Sequence, residues 1–224
     1  MIKSLLTGEE IDGLEFPLLR VTDQPDTPII PEDPDHFLYQ SKGSIGYIEW
    51  EHETFVEIGR FSVIFVDITG GEETGISPHE TLDGMEKTED MAIFFDDDGT
   101  EYSEAVLKVF DNVVLGRNLL LIDRIEILPA YRGYGLASLT MKALIRRFGR
   151  GAGMAVIKPF PLQFEMDLPN LYGDWKEWRQ RMGYSDMKGS EASATKALKA
   201  FYKKIGFKAF PKTKLMLMLA GLEL

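Results

Sequence analysis

The chain has 224 residues, 44% of them apolar, enough for one domain with a sizeable core. It contains no Cys, which excludes disulfides and thiolate metal sites, and its net charge of −11 argues against nucleic acid as the main partner. The longest apolar run, Leu215 to Leu222, is too short to cross a bilayer, and the first ten residues lack the apolar stretch of a secretory signal. A cytoplasmic protein with no membrane partner is the expectation. The charge is uneven: residues 1–120 carry 27 acidic and 7 basic side chains, and residues 121–224 carry 9 acidic and 18 basic ones. Faces of opposite sign attract different partners, a polyanion to the basic half and a cation to the acidic one.

Residues 1–43 read as an irregular arm, because Pro25, Pro28, Pro31 and Pro34 recur among acidic residues and favour extended chain. Residues 44–224 then form a single domain. From Ser44 to Ile68 the β-rich pattern predicts two or three antiparallel strands, broken at Glu51-His52-Glu53 and at Gly59-Arg60. Gly70 to Gly75 reads as a turn. Ser77-Pro78-His79-Glu80 is a helix start, with Leu82, Met85 and Met91 facing inward. Asp96-Asp97-Asp98-Gly99 lacks the spacing of a calcium loop and reads as a solvated turn. Thr100 is expected to cap a helix carrying Tyr102, Ala105, Val106, Val109 and Phe110.

Asn118 to Leu128 is dense in Leu and Ile, as a central strand covered on both faces should be. Asp123, Arg124 and Glu126 interrupt it, and polar groups there must be paired or functional. Pro129 ends the strand. Leu136 to Phe148 is helical, with Leu136, Leu139, Ala143, Leu144 and Phe148 in one stripe, and Met154 to Lys158 is the next strand. Residues 159–194 are irregular and hold Tyr172, Trp175, Trp178 and Tyr184. Thr195 to Gly206 is a helix, and Phe207 to Phe210 with Leu215 to Ala220 form a closing hairpin.

The strand–turn–helix at 120–148 carries the chemistry. Gly133 and Gly135 let backbone amides crowd a ligand, and the following helix aims its free N–H groups at the same place. That is a phosphate cradle. A dinucleotide fingerprint needs a third glycine where Ser138 stands and a ribose carboxylate about 20 residues on, where the chain reads Val156-Ile157-Lys158-Pro159. A P-loop fails for want of Gly-Lys-Ser/Thr.

Arg132-Gly133-Tyr134-Gly135-Leu136-Ala137 follows an apolar strand, and about 65 residues later stands Ala200-Phe201-Tyr202-Lys203-Lys204-Ile205-Gly206-Phe207. In this order the two segments resemble the motifs of the GCN5-related N-acetyltransferase (GNAT) superfamily over residues 118–210, with 159–194 as a variable insertion. The resemblance implies an α/β fold, a mixed, mostly antiparallel central sheet flanked by helices. It also implies an acetyl-CoA (acyl-CoA) co-substrate, with its pyrophosphate on the amides of Arg132, Gly133, Tyr134, Gly135, Leu136 and Ala137. Its pantetheine arm would run along Ile127 and Leu128, and the Ile127 N–H would face the thioester oxygen. Tyr202 matches the family's general acid. Glu126 is a candidate base, with an ion pair to Arg124 as the competing reading. No metal is implied: His36, His52 and His79 are scattered and lie outside the motifs. The partners implied are acyl-CoA and an amine acceptor, which the acidic half and Trp175 and Trp178 suggest is cationic; paired subunits are common in the family. The sequence departs from the family in placing helices between its first strands and the motif strand. A non-catalytic acyl-CoA-binding or protein-interaction module on the same fold is the alternative.

Overall fold

A computed structural model describes residues 17–24, 30–49, 51–165 and 175–220. Seven strands form one sheet: β1 (Leu18–Asp23), β2 (Leu38–Glu49), β3 (Thr54–Val66), β4 (Asn118–Ile127), β5 (Ala152–Ile157), β6 (Lys208–Ala209) and β7 (Met216–Leu219). Their order is β1-β2-β3-β4-β5-β7-β6, and every neighbouring pair is antiparallel except β4–β5. The expected mixed, mostly antiparallel sheet is therefore present. The parallel pair is joined by α4 (Leu136–Phe148), the crossover that a parallel connection requires.

Side chains alternate across the pleat and build two cores. On one face Leu120, Ile122, Ala155, Ile157, Met216 and Met218 pack with Leu136, Met141 and Leu144 of α4. On the other, Leu119, Leu121, Met154, Val156 and Leu217 pack with the short helices α1 (Ile68–Glu73), α2 (Pro78–Asp83) and α3 (Glu104–Val109). Burial on both faces explains the near-continuous apolar run of β4. Two further helices follow β5: α5 (Trp175–Arg181) and α6 (Glu191–Ile205).

Several expectations give way. The described part of 1–43 is not irregular: Leu18–Asp23 pairs with β2, and β2 itself begins at Leu38. Residues 1–16 and 25–29 of the arm, Pro25 and Pro28 among them, lie outside the described residues. Gly59-Arg60 does not break a strand. The chain runs through it, with Ile58 as an unpaired extra residue between the Ile45–Gly59 and Gly46–Glu57 pairs. Gly70-Gly71 is helical rather than a turn: Asp67 caps the Gly70 N–H, and Gly71 lies so close to Thr81 that a Cβ would come within 2.8 Å of its Oγ1. Ser77 and Glu80 do form a capping box, with Leu82 and Met91 fully buried. Tyr102 precedes its helix, which Ser103 starts, because its ring stacks on Phe95 and its hydroxyl donates to the Gly116 carbonyl. Leu139 is exposed, and Thr140, Met141 and Ile145 complete the buried stripe of α4. Trp175 and Trp178 stand on a helix, not in irregular chain, whereas Tyr172 lies outside the described residues. The closing hairpin is present as β6 and β7.

Gly59 fixes how closely β4 approaches. A Cβ there would stand 2.3 Å from the Glu126 carbonyl oxygen, closer than any real contact. Gly59→Ala should therefore displace the end of β4 and lower stability by about 1–3 kcal/mol, the usual range for overpacking, measurable as a fall in the urea midpoint.

Candidate functional site

The site begins with one extra residue in β4. Ser62 pairs with Arg124 and Val63 with Ile122, so Asp123 has no partner on β3. A bulge shifts the pleat by one. Ile122, Ile125 and Ile127 accordingly all face α4, while Arg124 and Glu126 face the other way. On its other edge β4 pairs with β5 only as far as Leu121–Val156; beyond it β5 follows β7, through Ile157–Met216. The two strands part, and a cleft of about 660 Å³ opens between them. Ile122 to Ile127 line one wall, Ile157 to Gln163 another, and Leu198, Phe201 and Tyr202 of α6 a third.

The edge of β4 that faces this gap carries backbone groups. The Leu128 N–H donates to the Ile58 carbonyl, which makes Gly59–Ile127 a non-hydrogen-bonded pair. The N–H and C=O of Ile127, and by the same alternation those of Ile125, therefore point away from β3 and into the gap. Arg132 confirms the direction, because its Nε–H donates to the Ile127 carbonyl at 2.9 Å.

At the end of β4 the chain turns through Pro129–Tyr131 and enters the glycine loop. Gly133 has φ +86° and Gly135 φ +75°, both in the left-handed region that favours glycine. Gly135 is also the N-cap of α4 and offers no side chain to cap it. Among the described residues, no acceptor is found for the N–H groups of Gly133, Tyr134, Gly135, Leu136 and Ala137. All of these residues but Tyr134 line a cavity of about 260 Å³, together with Arg132 and Ser138, among others. The cavity is continuous with the cleft: Ile127, Arg132, Ala137 and Phe201 line both.

The Arg132 guanidinium does not point at the cradle. It bridges the Ile127 carbonyl and, at 2.8 Å, the Met182 carbonyl, tying the loop to the chain after α5. Leu128 packs with Trp178 and Met182 in a small separate core.

Glu126 lies in the cleft wall with its side chain fully enclosed. Three donors converge on its carboxylate: Arg124 Nη1 at 3.4 Å, Trp178 Nε1 at 3.2 Å and the Tyr184 hydroxyl at 2.5 Å. Arg124 also pairs with Glu165, which binds Arg179 at 3.1 Å. Arg60 and Arg181 lie over the Trp178 ring and Arg124 over Trp175. Sequence reasoning marked Arg124 and Glu126 as polar residues in an apolar strand, and the ion pair weighed there is present. It did not find Tyr184, Glu165 or Met182, whose only signal is position in space.

Tyr202 lines the cleft, with its ring edge-on to Phe201 and Phe207. Among the described residues its hydroxyl has no hydrogen-bond partner, and burial pushes the phenol up to about 12. Burial first, then the charge and hydrogen bond of Glu126, raise Tyr184 as well. The histidines stand apart from the cleft. His36 bonds to the backbone beside Asp33, and with Asp33 and Asp35 it forms an acidic group on a single surface turn.

Comparison of the chain with models of known protein families, with curated proteins and with solved structures gives no match.

Two outcomes follow from this wall. Glu126→Ala leaves Arg124 with Glu165 alone and removes the acceptor of Trp178 and Tyr184, at a cost of about 1–3 kcal/mol for each buried donor left unpaired, read from urea unfolding, with Glu126→Gln losing less. Tyr202 and Tyr184 have raised pKa values, so their burial supports the fold fully below pH 10 and ceases to as pH rises toward 12. Stability should be flat from neutral pH to about 9 and fall above pH 10, and Tyr202→Phe should reduce that fall.

Proposed function

We propose that the chain is an acyl-CoA-dependent N-acyltransferase of the GNAT type. The observation that carries this reading is the continuity of the two cavities. A row of free amides suited to a pyrophosphate opens directly into a gap where a strand presents unpaired backbone groups. A pantetheine arm is a chain with two amides, and such a chain can pair with a strand edge as an added strand does. An arm of about a dozen bonds extends about 15 Å, close to the span of about 17 Å from Ile127 back to Ile122. With the pyrophosphate on the amides of Gly133 to Ala137, Ile125 and Ile127 pair with the arm. The thioester then lies toward the Asp123 bulge, so Ile127 serves the arm rather than the thioester oxygen.

The reaction needs four changes. The amine nitrogen attacks the thioester carbon and a C–N bond forms. The C–S bond breaks, the amine loses a proton, and the departing thiolate gains one. A phenol held near 12 remains protonated at neutral pH and can give that proton from Tyr202. Glu126 already holds three donors, which suits an anchor for the wall; the amine proton then leaves through water in the open cleft. This reading separates from a base role for Glu126 by one variant. Glu126→Gln in a folded protein should retain turnover, and a loss of kcat without loss of stability would restore Glu126 as the base.

A ligand that binds only the folded state raises its melting temperature. Acetyl-CoA should stabilise the protein and NAD and ATP should not; stabilisation by NAD or ATP alone would reject the assignment. Tyr202→Phe should lower kcat for thiol release by about 10²–10⁴-fold with unchanged affinity for acetyl-CoA. Acetyl-CoA binding with no turnover for any amine would instead mark a non-catalytic binding module.

A further inference from the structure

The lining of the cleft carries an imbalance of charge. Among the described residues, it holds the carboxylates Asp123, Glu126 and Glu165. All three are engaged. Asp123 accepts from Lys87 Nζ at 2.6 Å, Glu126 holds its three donors, and Glu165 binds Arg124 and Arg179. The cations of the same lining are Lys87, Arg124, Arg132, Lys158 and Lys214. Lys87 and Arg124 answer those carboxylates, and Arg132 is held by two backbone carbonyls.

Lys158 and Lys214 remain. Lys158 pairs with Asp90, but both side chains are about half exposed, at 50% and 54%, where an ion pair is weak and readily exchanged. Lys214 has no carboxylate within ion-pair reach among the described residues. The sheet brings these lysines together. Ile157 pairs with Met216, so Lys158 follows that pair on β5 and Lys214 precedes it by two residues on the way into β7. Trp175, Trp178 and Tyr184 are each covered by arginines, so the rings of the lining left uncovered are Phe160, Phe201 and Tyr202.

We propose that the acceptor amine carries a carboxylate, as an amino acid does, and that Lys214 with Lys158 holds it. This rests on the acyl-transfer reading and reverses the cationic acceptor suggested by the acidic half of the sequence. The donor does not compete for these lysines, because its phosphates belong to the cradle at the far end of β4. With the carboxylate at the lysines, the amine nitrogen is left to face the thioester near the Asp123 bulge.

The test uses the full chain and matched acceptors: a set of α-amino acids, their carboxamides, phosphoethanolamine and spermidine. Thiol release from acetyl-CoA should favour an amino acid over its own carboxamide by at least about tenfold in kcat/KM. Lys214→Glu should raise KM for the amino acid by about the same factor, while leaving that for its carboxamide unchanged. A structural effect of the substitution would move both. A preference for spermidine or the carboxamides, or an unchanged amino-acid KM in Lys214→Glu, overturns the proposal and leaves acyl transfer standing. Preference for phosphoethanolamine keeps the anion site and rejects the carboxylate. If no amine turns over, calorimetry on the CoA-loaded protein decides: tighter binding of amino acids than of carboxamides keeps the anion site and rejects transferase activity, and equal binding rejects both.

Discussion

Strand β4 contains one residue more than β3 can pair with, and Asp123 is that residue. Its insertion shifts the pleat, so the same strand is an ordinary core strand up to Ile122 and something different beyond it. Before the bulge, β4 is held on both edges. After it, only β3 holds it, and β5 leaves with β7. The gap between them is the cleft. A strand with an unpaired edge is normally a liability, because its N–H and C=O groups seek partners. Here that edge faces inward, where a ligand rather than another protein can supply them.

A cleft cut into a sheet needs a wall that stands without the missing strand. The charges on the far side of β4 provide it. Arg124 and Glu126 project from the strand, and Trp178, Tyr184, Glu165 and Arg179 close over them. Desolvating charges is expensive, and such a group persists when its hydrogen bonds are satisfied. The network thereby fixes α5 and the turn after it relative to β4. Arg132 extends the same tie to the cradle through the Met182 carbonyl. Cradle, cleft and wall are thus one connected structure, and an error at Glu126 would be felt at the glycine loop.

Much of the frame was legible in the chain. The apolar density of Asn118 to Leu128 predicted a strand buried on both faces, and Pro129 its end, and both are found. The bounds of α4 follow from Gly135 and Gly149 on either side of an amphipathic run. The pairing of Arg124 with Glu126 was weighed from their spacing alone. The errors share a cause. Gly59 and Gly70-Gly71 were read as breaks because glycine lowers propensity, yet each serves a close approach that only packing reveals, to Glu126 in one case and to Thr81 in the other. Leu18–Asp23 has a weak strand pattern of its own and is a strand because β2 offers it an edge.

The sequence by itself determined the local elements and the conformations that glycine alone accepts: the strand, the loop at Gly133 and Gly135, and the uncapped start of α4. Their physical basis is short-range, in backbone sterics and hydrophobic periodicity. Only the tertiary structure decided that β4 and β5 separate, that Glu126 is enclosed by donors from residues 124, 178 and 184, and that Lys158 and Lys214 share one end of the cleft. Register and bulges depend on what the neighbouring strand does, and burial of a charge depends on partners far along the chain. Neither is written in any single segment.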